Sequence, residues 1–187
     1  ITFIYIIMAL IINIFAGNLV TAMKQQTDLY AQTTTYIKLE SFANIAIVLF
    51  HLMIVAHTSL ENYKSILAIT TIKMFLTIIL DILFVSQYSI SLNLGVNGIA
   101  YNNILSNFIS IIILIVLLNK NEYNIFSKEI KFSFLYNINI GKINIVSGFE
   151  SFYRNFIFSF MILRMVNIVG EQGNYWIANN FFWAWLL

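Results

Sequence analysis

No Asp, Glu, Lys or Arg occurs between Ile82 and Asn119. A helix rises about 1.5 Å per residue, so about 20 residues cross a hydrocarbon core of about 30 Å. The run is too long for one crossing and long enough for parts of two. Gly95 and Gly98 interrupt it inside a neutral turn from Ser89 to Ala100. The pattern predicts one membrane helix over Ile66–Tyr88 and another from the turn to Leu118. Comparable apolar runs predict a first crossing over Ile1–Ala22 and a second over Tyr36–Ser59, within which Ser41–Leu60 is charge-free. A fifth is predicted over Ile143–Val169. A sixth begins at Tyr175 and is cut off at Leu187. The expected fold class is all-α, a polytopic transmembrane helix bundle.

The polar stretches between these runs set an orientation. The connection over residues 119–142 holds Lys120, Lys128, Lys131 and Lys142, whereas the turn from Ser89 to Asn97 holds no charge. Lys and Arg concentrate in cytoplasmic loops, so the 119–142 connection is expected inside and the Ser89 turn outside. Glu61–Lys64 is then inside, and Lys24–Thr35 and Gly170–Asn174 are outside. Phe132, Phe134, Leu135, Tyr136 and Ile138 suggest that part of the long connection lies along the interface. Tyr175, Trp176, Trp183 and Trp185 suit an interfacial aromatic belt.

Composition narrows the function classes. Charged residues make up 10% of the chain and hydrophobic ones 60%. Soluble domains carry about 25% charged residues, so this chain lacks the means to cover a water-exposed surface. A net charge of +2 without a basic patch argues against nucleic acid as a partner. There is no cysteine, hence no thiolate metal site. His51 and His57 are six apart and do not share a helix face as a metal pair would. No nucleophile elbow or phosphate loop is present, so no enzymatic activity and no cofactor are expected. Starting at Ile1 and stopping within an apolar run, the chain reads as a fragment of a longer protein.

Ionisable residues inside the predicted helices carry the candidate chemistry, because they are costly in lipid and normally face a bundle interior or a wet cavity. Glu150 and Arg154 are one turn apart and share a face. They read either as a cation or proton site with a modulating arginine, or as a neutralised structural pair, or as two residues near the cytoplasmic end that simply reach water. Arg164 lies deeper on the same helix and reads as snorkelling to the far interface or as facing a cavity. Lys73 and Asp81 lie within one broad face of the third helix. Asp81 is expected near the middle of that helix, either functional or hydrogen-bonded to an Asn or Ser of a neighbour. Lys38 and Glu40 are expected near a helix end, reaching water by snorkelling.

The sequences Leu80-Asp81-Ile82-Leu83-Phe84-Val85 and Leu94-Gly95-Val96-Asn97-Gly98-Ile99-Ala100 resemble the MATE multidrug exporters. That family has an Asn or Asp near the end of its fifth helix, then a Leu-Gly-x-x-Gly-x-Ala turn into the sixth. Gly95 suits the turn, and Gly98 and Ala100 suit close helix packing. Ile140-Gly141 stands where the seventh helix opens, although Lys142-Ile143 follow where proline is common. The resemblance spans about helices three to eight of twelve. It implies the end of a first lobe over 1–118, a cytoplasmic inter-lobe loop over 119–142 and the start of a second lobe over 143–187.

The function implied is a cation-coupled exporter of drugs or other small organic compounds. It would be a multi-pass protein of the plasma membrane, monomeric at full length, with the lipid bilayer and a small organic substrate as partners. The coupling ion is Na⁺ or H⁺, with Glu150 and Asp81 as candidate cation sites. Arg154 and Lys73 are candidates for modulation or for the substrate cavity. A lipid-linked oligosaccharide flippase of the same superfamily stays open, as does a proton-translocating subunit of a respiratory complex.

Overall fold

A computed structural model of the protein describes residues 2–120, 145 and 148–186. The predicted cytoplasmic loop beyond 120, its amphipathic stretch and the Ile140-Gly141 helix start lie outside the described residues, as does the Trp183 side chain. The architecture is all-α. Its helices are α1 (Thr2–Ala22), α2 (Tyr30–Ser59), α3 (Tyr63–Phe84), α4 (Val96–Lys120), α5 (Gly148–Val169) and α6 (Gln172–Leu186). The first five are long and apolar enough to cross a membrane. Phe3, Ile14, Leu67, Phe108 and Val116 are among many large apolar side chains exposed on them, the surface that lipid covers.

Helix boundaries depart from the apolar runs where backbone groups find partners. α2 begins at Tyr30 rather than Tyr36, taking in the polar Gln32–Thr35 stretch. There Thr35 Oγ1 donates to the Ala31 carbonyl at 3.0 Å, a bond that lets threonine sit within a helix. α3 starts after Asn62, whose side chain accepts from the Ser65 N–H at 3.4 Å as an N-cap. It ends at Phe84, not Tyr88, because the following loop folds back on its last carbonyls. Leu92 N donates to Leu83 O and Leu94 N to Phe84 O, each at 2.8 Å. Ser91 Oγ also donates to Leu83 O, at 3.1 Å. These bonds satisfy carbonyls that a helix end leaves without partners. Asp81 therefore stands in the last turn of α3, not near its middle. Glu40 shifts the other way: with α2 starting at Tyr30, it lies about 15 Å inside the helix rather than near its end.

The described chain divides into two compact units, Ile1–Ala16 with Ala31–Ser127 and Gly17–Tyr30 with Lys128–Leu187. In the first, the small residues Ala9 and Ala16 of α1 and Ala43 and Ala46 of α2 are buried. Asn13 Nδ2 ties the same two helices, donating to Ser41 Oγ at 2.7 Å and to the Lys38 carbonyl at 3.3 Å. Phe50, Ile69 and Leu114, from α2, α3 and α4, form an apolar core with Met53, Ile54 and Ile111.

The α3–α4 turn needs both of its glycines. Gly95 has φ +57°, a left-handed conformation that glycine adopts without cost. A Cβ at Gly98 would lie 2.9 Å from the Phe84 carbonyl oxygen and 3.0 Å from its carbon. Ala100, two residues on, is fully buried. In the second unit, α5 widens into a π-helical stretch over Phe158–Leu163, where the Arg164 N–H bonds Ser159 O, five residues back. Asn167 Nδ2 donates to the Met23 carbonyl at 2.9 Å and ties α5 to the 17–30 segment.

If α3 spans the bilayer, the loops at its two ends lie on opposite sides. The native chain has no cysteine to interfere. Single cysteines at Lys64 and Leu92, both exposed, are expected to react with an impermeant thiol reagent from opposite faces of sealed vesicles. Labelling of both from one face would show that α3 does not cross.

Candidate functional site

α4 is the hub of the first unit. Beyond the buried Gly98 and Ala100 at its start, its buried positions are Asn102, Ser106, Asn107 and Ser110 in one half, then Leu114 and Leu118 in the other. The spacing of three and four places them on one helix face. The half nearer the α3–α4 turn is thus a seam of amides and hydroxyls, and the far half is apolar. Ser110 Oγ donates to the Ser106 carbonyl at 2.7 Å, so that hydroxyl is satisfied within the helix.

Three charged side chains from neighbouring helices converge on the amides. Lys73 of α3 donates from Nζ to Asn107 Oδ1 at 2.6 Å, and the same ammonium lies 3.8 Å from the centroid of the Phe50 ring of α2. Ring faces attract cations through their quadrupole, by about 2 kcal/mol when water is excluded. Asp81 accepts at Oδ1 from Asn102 Nδ2 at 2.7 Å, and that nitrogen also donates to the Thr77 carbonyl at 3.1 Å. Glu40 of α2 accepts from Asn103 Nδ2 with both oxygens, at 3.0 and 3.2 Å.

Two of these contacts meet on one turn of α4. Asn107 Nδ2 donates to the Asn103 carbonyl at 2.6 Å. That acceptor is the Asn103 backbone oxygen, so Glu40 and Lys73 are linked across α2, α4 and α3 through the backbone of α4 and not through an unbroken run of side-chain hydrogen bonds. Opposite charges stand at the two ends with two amides between them. Among the described residues, Lys73 has no carboxylate within ion-pair distance. Asp81 lies on a separate branch, beside an open groove lined by Asp81, Ile82, Val85, Ser86 and Ile99.

No protein-family model, curated protein or solved structure matches this chain. Its chemistry has to be read from the seam itself.

The candidates named from sequence fall into two groups. Lys73 and Asp81 both turn toward α4 and bond its amides. Glu150 and Arg154 are not brought together: both are exposed on α5, and among the described residues neither forms an ion pair. Glu150 is the third residue of the Gly148–Val169 span. Arg164 is also exposed, directly after the π-helical stretch. Gly95, Gly98 and Ala100 shape the turn that starts α4.

Asn102, Asn103, Asn107 and Glu40 were not named as site residues from sequence. A signal was present for the asparagines: three amides and two serines recur at helical spacing from 102 to 110 within a charge-free helix. Polar side chains in such a helix bond across to neighbours.

His57 is fully buried. Its Nε2 lies 3.2 Å from the Leu114 carbonyl, which can only accept, so that nitrogen carries the proton and links α2 to the apolar half of α4. Among the described residues, no group of three His, Asp or Glu side chains could hold a metal ion.

Proposed function

We propose that the chain forms part of a cation-coupled antiporter that exports drugs or other small organic compounds across the plasma membrane by alternating access. The observation that carries this reading is Lys73. It lies about 15 Å along an apolar helix, held by an amide oxygen and a ring face, with no carboxylate within ion-pair distance among the described residues. A lysine near the middle of a membrane helix is costly, and such residues mark ion or substrate paths by default. A lysine kept for stability alone is expected to meet a carboxylate directly or to snorkel to water.

The resemblance of the Asp81 segment and the Leu94–Ala100 turn to MATE exporters supports the same reading. In an exporter of that kind the polar seam belongs to the first lobe. Na⁺ or H⁺ binding would bias the equilibrium between inward- and outward-open states through its differential affinity for the two.

The test is transport by the full-length protein reconstituted in vesicles, with ethidium as a cationic probe. Ethidium flux is expected to depend on an imposed Na⁺ or H⁺ gradient, and Lys73→Met is expected to lose most of it while inserting normally. Absence of gradient-dependent flux in the wild type with either ion would overturn the exporter reading.

A further inference from the structure

We propose that Glu40 is the group that takes up and releases the coupling ion, that this ion is a proton, and that Lys73, held on the same seam of α4 through Asn107, is its charge partner. The inference rests on the exporter reading and narrows it to one ion and one residue.

Glu40 has the position. Its partner Asn103 is about 10 Å along α4 from Val96, on the side of the bundle where the 85–95 loop lies. Lys73 and Asn107 are deeper. A proton entering from the loop side meets the carboxylate before the ammonium.

Glu40 also has the partners. One amide nitrogen serves both of its oxygens, and among the described residues no Lys or Arg lies within ion-pair distance of it. A carboxylate held by a neutral donor takes a proton without breaking an ion pair. When H⁺ adds to one oxygen, the group becomes a neutral acid with a hydroxyl donor. That donor cannot bond the Asn103 N–H, itself a donor, so the two-oxygen contact is lost. The Glu40–Lys73 couple then changes from neutral to a net positive charge. The proton comes from water on one side of the membrane and leaves to water on the other.

A proton suits the site better than Na⁺. Hard cations need several oxygen ligands, whereas the group facing Glu40 is an N–H donor and the same seam holds an ammonium at Lys73. Asp81 is also held by an amide, Asn102, but only Glu40 is linked to Lys73 through the backbone of α4. Other titratable groups on these helices include Tyr36 and Lys38 on α2, Lys73 and Asp81 on α3, and Tyr101 on α4. α1 contributes no charge.

The experiment uses the reconstituted full-length protein and two ethidium assays: exchange between equal pools without a gradient, and uptake driven by an imposed proton gradient. The wild type is expected to do both. Glu40→Gln, which keeps the shape and an acceptor oxygen for Asn103, is expected to retain exchange and lose the driven uptake. Wild-type driven uptake in Glu40→Gln would overturn the inference while leaving the exporter reading intact. Equal loss of exchange and drive would also overturn it, since Glu40 would then hold the fold or the substrate. A wild type driven only by Na⁺ would overturn the proton assignment, and a wild type driven by neither ion overturns the exporter reading and this inference together. Should Glu40→Gln fail to insert, Glu40→Asp decides: a shifted pH midpoint of driven uptake supports the role, and an unchanged midpoint overturns it.

Discussion

Gly98→Leu is expected to destabilise the protein by about 3 kcal/mol, at the upper end of typical overpacking penalties. The reason is what a side chain there would meet. Backbone atoms of Phe84 lie 2.9 and 3.0 Å from the Cβ position, and Val85 Cγ2 lies at 3.0 Å. A flexible side chain could move aside, but the end of α3 cannot. Its Phe84 carbonyl is also engaged by Leu94 N, so retreat of α3 would break the loop that closes the helix. Leucine adds three further carbons beyond the Cβ and forces the separation of α3 and α4 that Gly98 prevents. Gly98→Ala, with the Cβ alone, is expected to cost about 1 kcal/mol, because the helix gains some propensity in exchange. Thermal unfolding of the purified protein in one detergent gives the comparison. Equal melting temperatures for wild type and Gly98→Leu would show that α3 and α4 do not approach as closely as described.

Asn107→Leu is the second large effect, and its cause is electrostatic. The substitution removes the only hydrogen-bond partner described for the Lys73 ammonium and leaves that charge against the Phe50 ring in an apolar setting. A hydrogen bond to a charged group is worth about 1.5–3 kcal/mol, and a lysine at a helix centre in lipid costs about 3 kcal/mol. A loss of about 2–3 kcal/mol is expected for the single change. Lys73→Met fills the same space without the charge, so Asn107→Leu on that background should cost about 1 kcal/mol or less. The coupling between the two sites, measured as a double-mutant cycle, is thus expected to be about 1–2 kcal/mol. Additive single effects would show that Lys73 does not depend on Asn107.

How much of this was legible in the sequence differs from residue to residue. Lys73 and Asp81 stand out because a charge in a long apolar run is visible without knowing its neighbours. Glu40 does not stand out. It borders the charge-free Ser41–Leu60 run, and hydropathy alone puts the helix start at Tyr36, where a carboxylate reaches water. Only the backbone bonds that extend α2 back to Tyr30 place it inside. The Asn102, Asn103 and Asn107 amides carry no charge and lower the hydropathy of α4 only a little, so a helix that is central in the bundle reads as plain lipid-spanning sequence. The Glu150–Arg154 spacing shows the opposite effect. Residues four apart on one helix can meet, but spacing does not oblige them to, and both are exposed on α5.

The all-α class, the five apolar spans and the turn between α3 and α4 are set by local pattern along the chain. These follow from terms that add along the chain: transfer of apolar side chains into lipid, the need to bond every backbone group internally, and the conformational freedom of Gly95. The tertiary structure alone decided that α4 is the hub, that Glu40 and Lys73 are linked through the backbone of α4 at Asn103 and Asn107, and that Asp81 stands apart on Asn102. Those outcomes depend on which faces of antiparallel helices meet and at what depth. Apolar side chains gain nothing in lipid by choosing one neighbour over another, so that choice rests on close backbone approach at Gly98 and on interhelical hydrogen bonds, which exist only once the helices are packed.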